Sequence, residues 1–145
     1  QRLQPSASLA LRADHSSVRT HLDRLREIAD ALDEASADTA VLLIGEANAS
    51  VVRDIVAHER EDESTVYPRI ARILHDGHGL SAMSRAHREI MHLARLLSRI
   101  ADGLKPDAAD KYLIRDAQRV IESIEALVRM HSAQEDDIYE HAAAE

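Results

Sequence analysis

The sequence predicts an all-α protein, an antiparallel up-down-up-down bundle of four helices in a single domain over residues 1–145. Ala, Leu, Arg, Glu and Asp are abundant, whereas the chain has four glycines and three prolines, and these breakers fall where turns are needed. Apolar residues recur three and four positions apart, which places them on one face of a helix. No strand-like alternation competes with this spacing, so one compact helical unit is expected.

The first helix is predicted over residues 8–35 and the second over residues 38–67. Asp38 is a suitable N-cap for the second helix. Pro68 is expected to kink or end that helix, because proline lacks the amide hydrogen that a helix interior requires. The predicted inner faces contain Val18, Leu22, Leu25, Ala29 and Leu32 in the first helix and Ile44, Val51, Ile55 and Val66 in the second.

The third helix is predicted over residues 81–102 and the fourth over residues 107–140. Residues 69–80 are expected to form an irregular connection or a short extra helix, with Gly77 and Gly79 as stop signals. The predicted inner faces contain Met83, Ile90, Ala94, Leu97 and Leu104 in the third helix and Leu113, Ala117, Val120, Ile124, Leu127 or Val128, and Ile138 in the fourth.

Each predicted helix also carries one histidine on its apolar stripe. Two of these histidines have a carboxylate four residues later, on the same face of the helix, and a further glutamate lies at the edge of that stripe. A single inward histidine is more often a hydrogen-bonded core residue than a metal ligand, so a metal site is indicated only if the histidines converge. The candidate ligands are His15, His58, Glu59, Asp62, His87, His131 and Glu135.

The positions of the turns decide whether these histidines converge, because residues equidistant from a turn meet at the same height in an antiparallel bundle. His15 and His58 lie almost equally far from the first turn, with a mismatch of about 1.5 Å. His58 and His87 match if the second helix ends or bends near Pro68. The third and fourth helices match if their connection extends to residues 110–111.

Three carboxylates buried in an aliphatic core would repel one another and lose their hydration, and no Lys or Arg lies on the same faces. Cations are therefore required. Seven nitrogen and oxygen ligands exceed the four of a closed zinc site, and mixed imidazole and carboxylate ligands suit iron or manganese. A dinuclear iron site is the most economical interpretation. The sequence lacks the paired Glu-x-x-His motif of ferritin-like di-iron bundles.

The candidate ligands, taken together and in order, resemble the hemerythrin-like family, also called HHE cation-binding domains, over residues 14–139. The resemblance implies a bundle holding two iron ions as a non-haem di-iron centre with a bridging oxo or hydroxo group. It places Asp62 and Glu135 as bridging carboxylates and the histidines as terminal ligands. The residues that carry the resemblance are His15, then His58, Glu59 and Asp62 followed by Val66 and Tyr67, then His87, then His131 and Glu135 followed by Ile138 and Tyr139.

The third helix departs from the oxygen-carrying members of the family, which have a second histidine four residues from the first. His87 instead has Met83 and Met91 at that spacing, and Glu59 is expected to fill the vacant position. A carboxylate there favours ferric iron over reversible oxygen carriage. The resemblance therefore implies binding of, or reaction with, a small diatomic or peroxide ligand (dioxygen, peroxide or nitric oxide), as a sensor or scavenger in oxidative stress. A catalase-like di-iron enzyme and a metal-free helical interaction module are the alternatives.

The remaining polar residues near these motifs have simpler interpretations. Tyr67 and Tyr139 are predicted mainly to pack in the core, ahead of hydrogen bonding near the metals. The acidic neighbours of the motifs are predicted to form a solvated rim, and the other histidines to lie on the surface, in a loop or at the tail. The rim is Glu61, Glu63, Asp136 and Asp137, and the other histidines are His21, His75, His78, His92 and His141.

The composition argues against several other functions. The chain has no cysteine, which excludes disulfides, thiolate metal sites and thiol catalysis. A net charge of -8 and three aromatic residues, all Tyr, argue against a nucleic-acid partner. No apolar run approaches the roughly 20 residues of a membrane span. A cytoplasmic protein is expected, and the sequence does not identify a protein partner.

Overall fold

The computed structural model describes residues 2–75 and 78–144, which form long helices with no strand among them. A short 3-10 turn, Pro106–Ala108, lies before the last helix. The predicted all-α bundle is confirmed. The long helices are α1, Pro5–Ala31, α2, residues 37–74, α3, His78–Gly103, and α4, Lys111–Ala144.

Helices α1 and α4 run antiparallel, as the contacts between their opposite ends show. Just before α1, the Leu3 amide donates to the Ala142 carbonyl near the end of α4 (2.9 Å). Further along α1, Asp23 accepts a hydrogen bond from Arg129 in the middle of α4 (2.8 Å). Short connections join the other consecutive helices, and the chain therefore alternates in direction as predicted.

Helix α2 is continuous, but its hydrogen-bond pattern changes along its length. A π-helical turn holds more residues than an α-helical turn, so each π segment rotates the side chains that follow it relative to a regular helix. The candidate ligands of α2 lie in the second π-helical segment and in the short α-helical segment before it. The α-helical segments are Ala37–Ser50, Ala57–Glu61 and Tyr67–Leu74, and the π-helical segments are Val51–Val56 and Asp62–Val66.

Pro68 does not end α2, although that was one of the two predicted outcomes. It lies in the first turn of the segment Tyr67–Leu74, where proline is tolerated, and the helix continues to the end of that segment. His75 closes the helix in the left-handed conformation (φ 54°). The predicted stop at Gly79 is wrong because this residue lies inside α3, and the predicted stop at Gly77 lies outside the described residues.

The other helix ends also differ from the predictions by a few residues. Helix α1 begins at Pro5 and ends at Ala31, four residues earlier than predicted. The 3-10 turn delays the start of α4, where Asp110 accepts a hydrogen bond from the Tyr112 amide (2.7 Å). Helix α4 therefore begins at Lys111 instead of residue 107, which meets the condition set for the register of α3 and α4.

Two apolar clusters fill the bundle, and the candidate ligands lie between them along the helices. The larger cluster contains Val18, Ile55, Ile90 and Val128, and the smaller one contains Leu3, Tyr67, Met83 and Tyr139. The predicted inner faces are buried except at four half-buried positions, Val66, Leu113, Leu127 and Ile138. Within the described part of the chain, no helix has the length and apolar character to cross a membrane.

Candidate metal centre

The bundle brings all seven candidate ligands together as two adjoining groups. Within each group, one nitrogen or oxygen atom of every residue lies within 4.8 Å of the others. Glu135 belongs to both groups, so its carboxylate lies between them. The first group is His15, His58, Asp62 and Glu135, and the second is Glu59, His87, His131 and Glu135.

The histidines pair across neighbouring helices. The rings of His15 and His58 have centroids 5.4 Å apart, and those of His87 and His131 lie 4.6 Å apart. The predicted match of His58 with His87 required α2 to end or bend near Pro68. Helix α2 continues to Leu74 instead of ending there, yet His87 still lies at the level of His58, since its Nε2 atom is 2.6 Å from Oε2 of Glu59, the residue that follows His58.

In the first group, each histidine has a carboxylate close to its Nε2 atom. His15 Nε2 lies 3.2 Å from Glu135 Oε1, and His58 Nε2 lies 3.0 Å from Asp62 Oδ2. Asp62 comes four residues after His58, so the helix places both side chains on one face. The side chain of His58 remains 15% exposed, whereas His15 is buried.

In the second group, Glu59 reaches both histidines. Its Oε2 atom lies 2.6 Å from His87 Nε2 and 3.3 Å from His131 Nε2. His131 Nε2 is also 3.4 Å from Glu135 Oε2. Glu59 is 0% exposed, whereas the sequence predicts it at the edge of the apolar stripe of α2. The π-helical segment before it rotates its side chain inwards relative to a regular helix.

Several buried atoms of these residues have no hydrogen-bond partner in the described structure, despite their short contacts. They lie close to one another without the geometry of a hydrogen bond, and none of the three carboxylates has a Lys or Arg partner among the described ion pairs. Burying so many unsatisfied acceptors is costly unless a cation binds them. The residues therefore fit metal ions. The unpaired ligand atoms are His58 Nε2, both Glu59 carboxylate oxygens, Asp62 Oδ2 and Glu135 Oε1.

The pKa values of these residues reflect the same crowding of charge. Burial lowers the pKa of His131, but the adjacent carboxylates of Glu135 and Glu59 outweigh this effect and raise the pKa to about 9. Burial likewise lowers the pKa of His15, and neighbouring carboxylates raise it to about 8. Burial raises the pKa of Asp62. Metal ions would therefore compete with protons for this site.

Two acidic residues of the predicted solvated rim, 46% exposed Glu63 and 24% exposed Asp136, also bind the ligand histidines. Glu63 Oε2 lies 2.8 Å from His87 Nδ1, and Asp136 Oδ1 lies 2.7 Å from His15 Nδ1. A carboxylate on Nδ1 orients the ring and leaves Nε2 facing the centre, as is typical of metal-binding histidines. The available signal in the sequence was that each acid directly follows a candidate ligand carboxylate, Asp62 for Glu63 and Glu135 for Asp136.

The other rim residues, Glu61 and Asp137, are exposed as predicted.

A family model for hemerythrin, described as the hemerythrin HHE cation binding domain, matches residues 7–143 of this chain. The chain belongs to the hemerythrin HHE cation-binding family. The predicted resemblance is thereby confirmed over nearly the whole sequence. No curated protein and no solved structure gives a significant match.

This hemerythrin-family chain has a methionine four residues before and four residues after His87, at the positions where oxygen-carrying members of the family have a second histidine. Met83 is buried in the smaller apolar cluster, and Met91 is half-buried against the larger one. Neither methionine supplies a nitrogen or oxygen ligand, and the carboxylate next to His87 is that of Glu59. The second group thus combines two histidines with two carboxylates, and the role of Glu59 as a ligand stays a prediction.

Two tyrosine hydroxyl groups also point into this hemerythrin-type centre. Tyr67 Oη donates to Glu135 Oε2 (2.5 Å) and lies 3.0 Å from His87 Nε2 and 3.1 Å from His131 Nε2. Tyr139 Oη donates to Glu135 Oε2 at 3.3 Å. Both rings pack in the smaller apolar cluster, as predicted, but the sequence analysis placed hydrogen bonding to the centre second. Burial raises the pKa of both phenols and keeps them protonated.

The remaining described histidines lie away from the two ligand groups. His21 is 35% exposed and lies 3.3 Å from Asp54, while His75, His92 and His141 are exposed. The surface and tail interpretations of these residues are consistent with these positions. The side chain of His78 lies outside the described part of the structure.

Proposed function

We propose that this hemerythrin-family chain holds two iron ions, one in each ligand group, and binds or reacts with dioxygen, peroxide or nitric oxide as a sensor or scavenger. One observation carries the proposal: two groups of buried histidine and carboxylate atoms share Glu135, and several of these atoms have no hydrogen-bond partner. One shared carboxylate suits two ions better than one. In the proposal, Glu135 bridges them.

The ligand set supports iron over zinc. Four imidazoles and three carboxylates are too many for one closed tetrahedral zinc site, and this mixture suits iron. His15, His58 and Asp62 would hold the first ion, and Glu59, His87 and His131 the second. Asp62 lies in the first group, and its role as a second bridge stays a prediction from the family resemblance.

The two ions, when bound, supply Lewis acidity and a change of redox state. The chain supplies the surroundings. Glu63 and Asp136 orient His87 and His15, and the apolar clusters on either side of the polar layer limit the access of water. The Tyr67 hydroxyl holds a proton at the shared carboxylate, within reach of a small molecule in the second group.

Metal analysis of the purified protein tests this proposal. We expect two irons per chain and near-ultraviolet charge-transfer absorption, both lost in a His131→Ala variant that keeps its helical circular dichroism. A His92→Ala variant removes an exposed histidine and is expected to keep both irons. A folded protein that refuses iron would instead support the metal-free helical interaction module.

A catalase-like enzyme that decomposes peroxide is the second candidate. The position of Tyr67 Oη, 3.0 and 3.1 Å from the Nε2 atoms of His87 and His131, favours it because the phenol is a proton donor inside the ligand set. The carboxylate-rich second group also favours ferric iron. Oxygen evolution from added peroxide, lost in folded His131→Ala, would support this activity. A reversible oxygen spectrum of the reduced protein would support oxygen carriage instead.

The proposal includes a cytoplasmic location and a single domain over residues 1–145. The cysteine-free sequence is compatible with a reducing compartment. The ligand is a small molecule, and the proposal involves neither nucleic acid nor a membrane.

A further inference from the structure

A surface groove lies between α2 and α3, on the flank of the bundle where α1 and α4 contribute no lining residue. Its volume is about 460 Å³. This volume falls within the range of roughly 300–1,000 Å³ that is typical of small-molecule sites. We call it the α2–α3 groove. Its lining divides into an apolar floor and a basic rim.

The floor of the α2–α3 groove is apolar. Val52 and Val56 of α2 face Met91 and Ala94 of α3 across it. Val52 is 51% exposed, whereas Val56 is part of the core. The floor therefore offers apolar surface that continues from the core to the solvent, and an apolar molecule would gain by covering it.

The rim of the α2–α3 groove carries three arginines, Arg60, Arg95 and Arg99. Among the described residues, none of them has an ion-pair or hydrogen-bond partner for its guanidinium group. Other arginines of the described chain, such as Arg88 and Arg119, likewise lack a partner for the guanidinium group, so these three are distinguished by their position beside the apolar floor. Other arginines do have carboxylate partners, as in the pairs Arg24 with Glu46, Arg53 with Asp54 and Arg129 with Asp23.

The groove also leads towards the metal centre. A neighbouring recess of about 280 Å³ is lined by Glu63, His87 and Arg88, and it shares Met91 and Arg95 with the α2–α3 groove. His87 is itself a candidate ligand. A molecule in the groove would therefore lie beside the recess that His87 lines.

We propose that the α2–α3 groove binds an organic carboxylate with an apolar body, such as the anion of an aliphatic acid. The apolar part would cover Val52 and Met91. The carboxylate would bind Arg95 and Arg99, since guanidinium groups bind carboxylates through two parallel hydrogen bonds. This site does not depend on iron or on any reaction at the metal centre.

Titration calorimetry with decanoate on the purified protein tests the proposal, with decanol and acetate as matched probes. Decanol keeps the apolar body without the charge, and acetate keeps the charge without the apolar body. We expect one decanoate per chain and binding at least about tenfold weaker for either matched probe. Equal binding of decanol and decanoate, or no binding of decanoate, would overturn the proposal.

Variants locate the site. Arg95→Gln and Arg99→Gln are each expected to weaken decanoate binding about tenfold, whereas Arg119→Gln removes the same charge from an exposed position on α4 and is expected to have no effect. Equal losses in all three variants would show a general charge effect and refute the assignment.

The apolar floor has its own pair of variants. Val52→Asp is expected to abolish decanoate binding, and Leu42→Asp, at a residue 75% exposed elsewhere on α2, is expected to preserve it. Both residues are exposed, so both variants are expected to fold. Sedimentation of the parent protein checks the competing occupant: self-association that Val52→Asp abolishes and decanoate does not disturb would assign the groove to a second copy of the chain.

Discussion

Tyr67 Oη donates a 2.5 Å hydrogen bond to Glu135 Oε2, and this carboxylate belongs to both ligand groups. A single phenol from α2 is therefore linked to the residue that would join the two metal ions. The same hydroxyl lies within 3.1 Å of two ligand imidazoles, His87 and His131. Its position makes Tyr67 a residue of the centre as well as of the core.

Replacing Tyr67 by phenylalanine removes that proton and keeps the ring that packs in the smaller apolar cluster. We expect Tyr67→Phe to fold and to retain its iron, and to react with peroxide about 10²-fold more slowly, the usual size of a lost proton donor. Stopped-flow absorption measures the reaction. Tyr112→Phe, at a residue 69% exposed, is the control and is expected to behave as the parent. A visible phenolate-to-iron band that disappears in Tyr67→Phe would show that the phenol is a ligand and contradict this role.

The shared carboxylate predicts unequal losses of metal among the ligand variants. Glu135→Ala removes an atom from both groups and is expected to leave the chain without stoichiometric iron. Glu59→Ala affects the second group and is expected to leave about one iron per chain. Metal analysis after gel filtration gives the ratio, and Glu89→Ala, at an exposed residue of α3, is the control. Equal iron contents in Glu135→Ala and Glu59→Ala would contradict the shared position of Glu135.

The carboxylates on the Nδ1 atoms of the ligand histidines are expected to strengthen metal binding without touching the metal. Glu63→Ala and Asp136→Ala should each weaken iron binding about 10–100-fold, the usual effect of losing such a partner. Competition with a chelator measures this change. Their neighbours Glu61 and Asp137 are exposed, and their alanine variants test whether charge alone matters. If all four variants lost the same affinity, orientation of the imidazoles would not be the cause.

Without metal, the stability of the protein is expected to fall as the pH rises from 6.5 to about 9. The folded-state pKa values of His15, about 8, and His131, about 9, lie above the value of 6.5 for an unperturbed histidine. A raised pKa contributes stability that is complete below the unfolded value and is lost as the pH rises through the folded value. For His15 alone, the shift corresponds to on the order of 2 kcal/mol of unfolding free energy.

Urea unfolding of chelator-treated protein across this range measures the effect. His131→Ala should show a shallower dependence on pH than the parent, and so should the iron-loaded protein, whose ligand imidazoles are neutral. The lowered pKa values of Glu59 and Glu135 do not affect this window, because carboxylates at lowered pKa lose their contribution only as the pH falls. Stability that rises between pH 6.5 and 9 would contradict the pKa directions.

The helical periodicity of the sequence was enough to predict the bundle and to identify the candidate ligands. Apolar residues at helical spacing identify the buried faces, and His15, His87 and His131 simply continue those faces. The His58–Asp62 pair of the first group also follows from regular spacing, since Asp62 comes four residues after His58. These features depend on residue spacing within one helix, which can be read directly from the sequence.

The features that the sequence analysis missed depend on irregular helical turns and on contacts between helices, which regular residue spacing does not predict. Glu59 is fully buried because the π-helical segment before it, Val51–Val56, rotates it inwards relative to a regular helix. Glu63 contacts His87 across two helices, and the residue spacing within α2 does not predict that contact. The direction of the Tyr67 hydroxyl depends on side chains from α3 and α4, and helical spacing within α2 carries no signal for such a contact.

The widened turns of α2 have a consequence for how this protein tolerates insertions and deletions. Removing one residue from Val51–Val56 would let that stretch relax to an ordinary helix, with little change in helix length. Every residue beyond the deletion would then keep nearly its present direction, because a π segment rotates the chain about as far as an α-helical segment that is one residue shorter. Removing one residue from the α-helical segment Ala57–Glu61 would instead turn every later side chain by about 100°, away from the metal centre. Helix α2 is therefore expected to accept a deletion in its widened turns and to lose its metal ligands after a deletion between them.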